Sequence, residues 1–222
     1  MQMQFKFLSF VVLALLLTGC WSTYYSAMEK VGVYKRDIMI DRIMDAETSK
    51  QAAQQQFKSA LEELSSLIHF DGGELEQKYQ AVEAQYEASQ DAADDVSKRI
   101  DKIENVAGAL FEEWQSEIEL ISNPNYRRQS TAKLQETKTR YSILINSMHK
   151  AEEKMAPILT ALRENTLFLR HNLNAKAIGA LQGEMQAIER DIDVLIRDMN
   201  AAIAQSQQFI NLLQNQGLLT II

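Results

Sequence analysis

The sequence predicts an all-α protein, an elongated antiparallel bundle of about four long helices with coiled-coil packing. Only two prolines and eight glycines punctuate 222 residues, and this composition favours long helices over a sheet with many turns. Three interruptions, at 69–76, 122–128 and 170–176, divide the chain into segments of similar length. Segments of this kind joined by short turns suit an up-down-up-down bundle. The alternative is a spectrin-like arrangement of fewer helices with one of them mobile.

Residues 1–19 are predicted to be a lipoprotein signal peptide. Lys6 supplies an early cation, and the apolar stretch 7–17 is too short to cross a bilayer but typical of a signal peptide. Residues 17–20, Leu-Thr-Gly-Cys, resemble the bacterial lipobox, whose cysteine is acylated. An ordinary secretory signal followed by a free or buried cysteine is the alternative. Because the chain has a single cysteine, an intramolecular disulfide is excluded, and we predict that Cys20 is the lipidation site.

Residues 20–27 are predicted to form the lipidated N-terminus and a short tether. Trp21, rather than Asp, follows Cys20, which by resemblance to enterobacterial sorting implies the outer membrane, with the protein facing the periplasm. Trp21, Tyr24 and Tyr25 are expected either at the lipid–water interface or in a disordered tether. The helical bundle is predicted over 28–216, and residues 217–222 form an apolar C-terminal tail.

The first bundle segment carries the weakest apolar repeat. Met39, Ile43 and Phe57 fit a 3.5-residue repeat, but Lys50 falls at one of its positions. The stretch 45–56, "DAETSKQAAQQQ", has few large apolar side chains. We therefore expect it to be helical but loosely packed.

The other three segments carry the repeat without a comparable gap. Alternating steps of four and three run from Leu75 to Trp114, from Leu134 to Leu169 and from Ile178 to Leu213. A repeat sustained this long indicates left-handed coiled-coil packing. The last two repeats are out of phase, which predicts a turn near 172–175.

Local signals refine the third segment. Asn123 is predicted to be a helix N-cap with Pro124 at the first helical position. Pro157 lies beside the apolar seam and not within it, so we expect a kink there and no reversal of the chain.

The charges of the second and third segments are opposite. Residues 74–119 have a net charge of −9 and residues 125–171 a net charge of +5. Complementary flanks would favour packing of these helices side by side; the alternative is that both are simply solvated faces. The chain as a whole has a net charge of −7, and without a basic stripe it is a poor candidate for nucleic-acid binding.

No catalytic or metal-binding motif stands out. No Glu lies three residues before His69, His149 or His171, so the paired Glu-x-x-His signature of di-iron bundles is absent. Neither G-x-S-x-G nor a phosphate-binding G-x-x-x-x-G-K-[ST] sequence occurs. We therefore expect no enzyme activity, no cofactor and no metal.

Four stretches carry a resemblance to a known family: "YYSAMEKVGVYKRDIMIDRI" (24–43), "FKSALEELSSLIHFDGGELEQKY" (57–79), "LFEEWQSEI" (110–118) and "LRHNLNAKAIGALQGE" (169–184). They resemble a proteobacterial lipoprotein family known as domain of unknown function 2959, over essentially the whole mature chain. The resemblance implies a periplasmic helical coiled-coil protein with no assigned activity or catalytic residues. Only Cys20 carries over as a site.

The expected function is that of a non-enzymatic, lipid-anchored envelope scaffold, spacer or assembly partner. Its expected partners are the membrane, through Cys20, and either an unidentified envelope protein or a second copy of the chain. A binding module for a lipid or other amphiphile within the bundle is the alternative. Candidate partner-binding residues lie in two apolar stretches. The alternative for the first stretch is that it belongs to the core of a closed bundle, and the alternative for the C-terminal tail is that it docks onto the bundle end. The candidates are Val31, Val33, Tyr34, Ile38, Ile40, Leu218 and Leu219.

Overall fold

The computed structural model describes Tyr25, Met28 and residues 34–68, 75–172 and 175–218. These residues contain four α-helices and no strand, which confirms the predicted fold class. The second helix has 46 residues and is therefore about 70 Å long. In chain order the helices are α1 (Lys35–Ile68), α2 (Leu75–Leu120), α3 (Pro124–His171) and α4 (Ala175–Leu218).

The four helices form a closed antiparallel bundle. Each helix packs against the next one in the chain, and α4 returns to pack against α1. Cross-helix contacts fix the direction: the start of α1 meets the end of α2 through Lys35 and Glu113, and the start of α2 meets the end of α3 through Glu83 and Arg170. The up-down-up-down arrangement is therefore the one adopted, and the spectrin-like alternative is not.

The core follows the apolar repeats that the sequence predicts. Every position of the four repeats is buried or half-buried, and the most central ones, such as Ile100, Leu144 and Met199, are fully excluded from solvent. Burying a large aliphatic side chain contributes about 1.5–3 kcal/mol, so these seams supply most of the stabilisation of the bundle.

The stretch 45–56 is helical, as predicted, and its inward positions are closed to solvent. Ala46 and Ala53 are 1% and 0% exposed, and Lys50 between them is 0% exposed. The short alanine side chains bring little apolar volume, and the aliphatic stem of Lys50 adds to it. The seam is therefore continuous through the segment where large apolar side chains are scarce.

The helix ends agree with the local sequence signals. Asn123 accepts hydrogen bonds from the backbone N–H groups of Asn125, at 2.9 Å, and Tyr126, at 3.4 Å, and so caps α3. Helix α3 continues through Pro157 without interruption, so no reversal occurs there. It ends at His171 and α4 begins at Ala175, which confirms the predicted turn. The predicted Asp-Gly-Gly turn, at 71–73, lies outside the described residues.

The N-terminal segment differs from the predicted tether at one described residue. Tyr25 is 3% exposed and belongs to the core, and Met28 packs against that core. The Nζ atom of Lys35 lies 5.9 Å from the centre of the Tyr25 ring, close enough for a cation–π contact. Tyr25 is therefore part of the protein interior, not of a disordered tether or a membrane interface. The physical reason is that an aromatic side chain buries a large apolar area when it packs into a protein core, and it would bury little of that area in a solvated tether.

Candidate functional site at the proximal end of the bundle

One end of the bundle, here called the proximal end, contains the starts of α1 and α3 and the ends of α2 and α4. Lys35 Nζ donates a hydrogen bond to Glu113 Oε1 at 2.9 Å, which holds α1 to α2. Gln216 Nε2 donates to Thr137 Oγ1 at 3.1 Å, which holds α4 to α3. The opposite end, where α1 and α3 end, is called the distal end.

The α2–α3 hairpin extends past the ends of α1 and α4. Beyond Glu113, which is level with the first residue of α1, α2 runs on to Leu120, a further ~10 Å. Thr137 is level with Gln216 near the end of α4, whereas α3 starts at Pro124, ~20 Å away along the helix. Residues 120–126 therefore form a projecting tip, here called the hairpin tip.

A cleft of about 1000 Å³ lies where the four helix ends are uneven. Within the described residues, α1 and α4 do not extend over the facing surfaces of α2 and α3 at the projecting hairpin, and the cleft lies at that step. Its lining comes from all four helices and includes Lys35, Trp114, Ser130, Lys133, Leu213 and Gln216.

The cleft lining combines apolar and polar groups. Leu110 and Leu213 are buried beneath it. Trp114 Nε1 donates a hydrogen bond to Ser130 Oγ at 3.1 Å, so the indole presents its ring while its polar atom is satisfied. The lining carries charges of both signs, because Lys35, Arg36 and Lys133 are accompanied by Glu113 and Glu117.

An aromatic cluster of Phe111, Tyr141 and Phe209 lies next to the cleft. The rings of Phe111 and Tyr141 meet edge to face with centroids 5.4 Å apart, and Tyr141 and Phe209 lie 6.1 Å apart. Burial, together with the charge of Glu104, raises the pKa of Tyr141 well above its ordinary value. Tyr141 is therefore a neutral packing residue that joins α2, α3 and α4, not an acid or base.

Exposed large hydrophobic side chains occur at both ends of the bundle and, at Met44 and Ile143, along its sides. In the described part of the chain the three most exposed large hydrophobic residues are Leu120 at 82%, Tyr126 at 64% and Tyr34 at 60%. At the distal end Leu167 and Phe168 are 43% and 41% exposed. Both ends of the bundle therefore offer apolar contact surface.

Lys50 is a charged group inside the core. Its Nζ atom is buried and has no hydrogen-bond partner, and the same holds for Oε1 of Glu47 one turn before it. Burial lowers the pKa of Lys50 to about 8, against the opposing charge of Glu47. Burial likewise raises the pKa of Glu47, against the charge of Lys50. The pair is a local weakness of the bundle, because removing charge from water costs free energy unless it is well paired.

Two ion pairs cross from α2 to α3, the helices of opposite net charge. Arg170 meets Glu83 at 2.9 Å, and His149 lies between Glu104, at 3.1 Å, and Glu152, at 2.9 Å. Burial on its own would lower the pKa of His149, but its hydrogen bonds to the two glutamates outweigh that effect and raise it. These contacts favour the adjacent packing that the charge pattern indicates.

The described partner-binding candidates lie in different environments. Ile38 is 5% exposed and belongs to the core, and Ile40 is partly buried against it, while Tyr34 is exposed and lines the cleft. Leu218 is the last residue of α4. The sequence pattern missed the cleft and the hairpin tip; the apolar pair Leu120 and Ile121, placed directly before the Asn-Pro turn, was the available signal. Four predicted site residues lie outside the described residues: Cys20, Val31, Val33 and Leu219.

Within residues 34–68, 75–172 and 175–218, no three His, Cys, Asp or Glu side chains come together in a way that could hold a metal ion. Among the described helices, none has both the length and the apolarity needed to cross a bilayer.

The fold and its ends define a class of protein: an elongated antiparallel four-helix bundle with coiled-coil seams and an open cleft at one end. The family model described as "Protein of unknown function (DUF2959)" matches residues 24–213. The chain therefore belongs to this family, as the resemblance implied. No curated protein and no solved structure matches the chain.

Proposed function

We propose that this protein is a non-enzymatic scaffold, spacer or assembly partner of the bacterial envelope, anchored in the outer membrane by acylated Cys20 and facing the periplasm. The observation that carries the proposal is the position of Tyr25. It is buried at the proximal end beside Lys35 and lies only five residues after Cys20. A lipid on Cys20 would thus tie one end of a rigid rod closely to a membrane.

The dimensions of the bundle support a spacer role. The 48 residues of α3 make a rod of about 70 Å, and its seams are continuous from end to end. Several acyl chains on one cysteine would hold such a rod durably, because each buried CH₂ contributes about 0.8 kcal/mol. The rod would carry its distal end, with exposed Leu167 and Phe168, away from the membrane to meet a partner.

Photocrosslinking in native cells tests this proposal. A photoreactive residue replaces Phe168 at the distal end, and a second variant places it at Lys98, an exposed mid-bundle position, as the matched control. We expect Phe168 to crosslink to one recurrent envelope protein or to a second copy of the chain, and the product to disappear in the Cys20→Ala background. Equal products from both positions, or products independent of Cys20, would contradict an anchored scaffold.

The cleft favours a second candidate function, the binding of a lipid or other amphiphile. Its volume of about 1000 Å³ and its mixed lining fall in the range of small-molecule sites. Native mass spectrometry of the membrane-purified chain would detect a bound amphiphile as a discrete added mass. This mass should be lost in Ser130→Arg, which directs a long charged side chain into the cleft from a half-buried position of its lining, and kept in Gln90→Arg, a half-buried position outside that lining. Absence of any added mass in the unaltered protein would count against this function.

A further inference from the structure

The proximal end has a second feature beyond its closeness to Cys20. Its most exposed apolar side chains, Leu120, Tyr126 and Tyr34, all point to contact with something other than water. We infer that the hairpin tip and Tyr34 rest in the headgroup region of the lipid bilayer, so that the bundle is oriented with its distal end away from the membrane. This inference rests on the proposed anchoring through Cys20.

The length of chain between Cys20 and the bundle limits where the membrane can be. Tyr25 is the fifth residue after Cys20, and the five Cα–Cα steps between them span at most ~18 Å when the chain is fully extended. Tyr25 is fixed in the protein interior at the proximal end, beside Lys35. The bilayer surface that holds the acyl chains must therefore lie within this short distance of the proximal end.

The hairpin tip reaches across that gap. It stands ~10 Å beyond the level of Lys35 and Glu113, which is well inside the reach of the segment that follows Cys20. When the lipid is inserted, the tip is the part of the described structure that meets the headgroups first. Contact at the tip and insertion of the anchor are thus geometrically compatible.

The residues of the tip suit the membrane interface. Tyrosine is enriched at the headgroup level, where its ring is in an apolar layer and its hydroxyl group in a wet one. Exposed Arg127 and Arg128 follow Tyr126. Arg127 donates one guanidinium hydrogen bond to the backbone carbonyl of Ile121, and Arg128 donates one to the side-chain oxygen of Asn125. An arginine has five N–H donors, so further donors remain for lipid phosphate.

Charge alone does not drive this contact. Exposed Glu117 and Glu119 lie in the last turn of α2 and offset the charges of Arg127 and Arg128. The attraction to the bilayer therefore comes from apolar insertion and from the anchor, and it should depend only weakly on the fraction of anionic lipid.

A depth measurement on the full lipidated chain in phosphatidylcholine vesicles tests the inference. Leu120→Cys receives a thiol-reactive fluorophore sensitive to polarity, and Leu167→Cys is the matched control, ~65 Å away along α3. Both residues are exposed in the structure, so labelling leaves the core intact. Vesicles with nitroxide-labelled lipids then report contact with the bilayer by quenching the fluorophore.

We expect the label at 120 to be blue-shifted and to lose most of its fluorescence to the nitroxide lipids, while the label at 167 is unaffected. If the protein floats with the vesicles but the two labels show the same emission and quenching, the orientation is overturned and the anchor is not. A blue-shifted label at 120 without quenching would mean that protein, such as a second copy, covers the tip. Failure of the chain to float with the vesicles would overturn the anchoring and the orientation together.

Discussion

Replacing Lys50 by methionine should make the bundle more stable. Lys50 is 0% exposed, and its Nζ atom has no hydrogen-bond partner. Burial lowers its pKa from 10.5 to about 8, and each unit of difference corresponds to about 1.4 kcal/mol. The charged form therefore costs the folded state about 3 kcal/mol at pH 7. Methionine has a similar shape and no charge, so Lys50→Met should recover about 2–3 kcal/mol.

The same lysine should make stability depend on pH. The unfolded chain keeps its proton on Lys50 up to about pH 10.5, whereas the folded chain releases it near pH 8. Between these values the unfolded state binds more protons, so stability rises with pH. The free-energy cost of burying charged Lys50 has its full size below about pH 8. This cost should fall by about 2 kcal/mol between pH 7.5 and 9.5. Burial raises the pKa of Tyr79 and Tyr141, so stability falls again once unfolded tyrosines ionise above about pH 10.

Urea unfolding followed by circular dichroism measures both effects. The wild-type chain, Lys50→Met and the control Lys58→Met, an exposed lysine on the same helix, are compared at pH 7.5 and 9.5. We expect Lys58→Met to match the wild type within about 0.5 kcal/mol. The reasoning is refuted if Lys50→Met is less stable than the wild type at pH 7.5, or if the two gain equally between the two pH values.

Three further predictions concern the core, a helix cap and an ion pair. Ile100→Ala should destabilise the bundle by about 2–5 kcal/mol in urea unfolding, since Ile100 is fully buried in the α2 seam; a loss under 1 kcal/mol would contradict its placement. Asn123→Ala should cost about 1 kcal/mol, whereas Asn123→Asp, which keeps the capping oxygen, should cost much less; equal losses would exclude the cap. The pKa of His149, measured by NMR titration, should lie above its ordinary value and fall in Glu104→Gln; an unchanged pKa would show that this contact does not form.

The sequence was sufficient for the features that repeat along one helix or depend on neighbours in the chain. The seams could be predicted because a 3.5-residue period keeps one stripe on the partner helices, and each predicted position is buried or half-buried. The Asn123 cap and the turn after His171 are local, since they need only a few adjacent residues. In both cases the signal and the structure lie in the same stretch of chain.

Other features depend on residues distant in the sequence. The cleft lies where α1 and α4, within the described residues, do not extend over the α2–α3 hairpin, and no single segment contains that mismatch. Complete burial of Lys50 depends on the helices around it, while the sequence shows only a cation at a seam position. Tyr25 is buried because the chain before α1 packs back onto the core, an arrangement without periodicity. Tertiary packing determines these three features.

Intact mass spectrometry of the chain purified from native membranes tests the central claim most directly, because scaffold function and membrane orientation both require an anchored proximal end. The account predicts a mature chain that begins at Cys20 and carries the added mass of acyl chains on that residue. In Cys20→Ala this modified form should be absent and the protein should leave the membrane fraction. A native chain with an unmodified Cys20, or one cleaved at another position, would contradict the account.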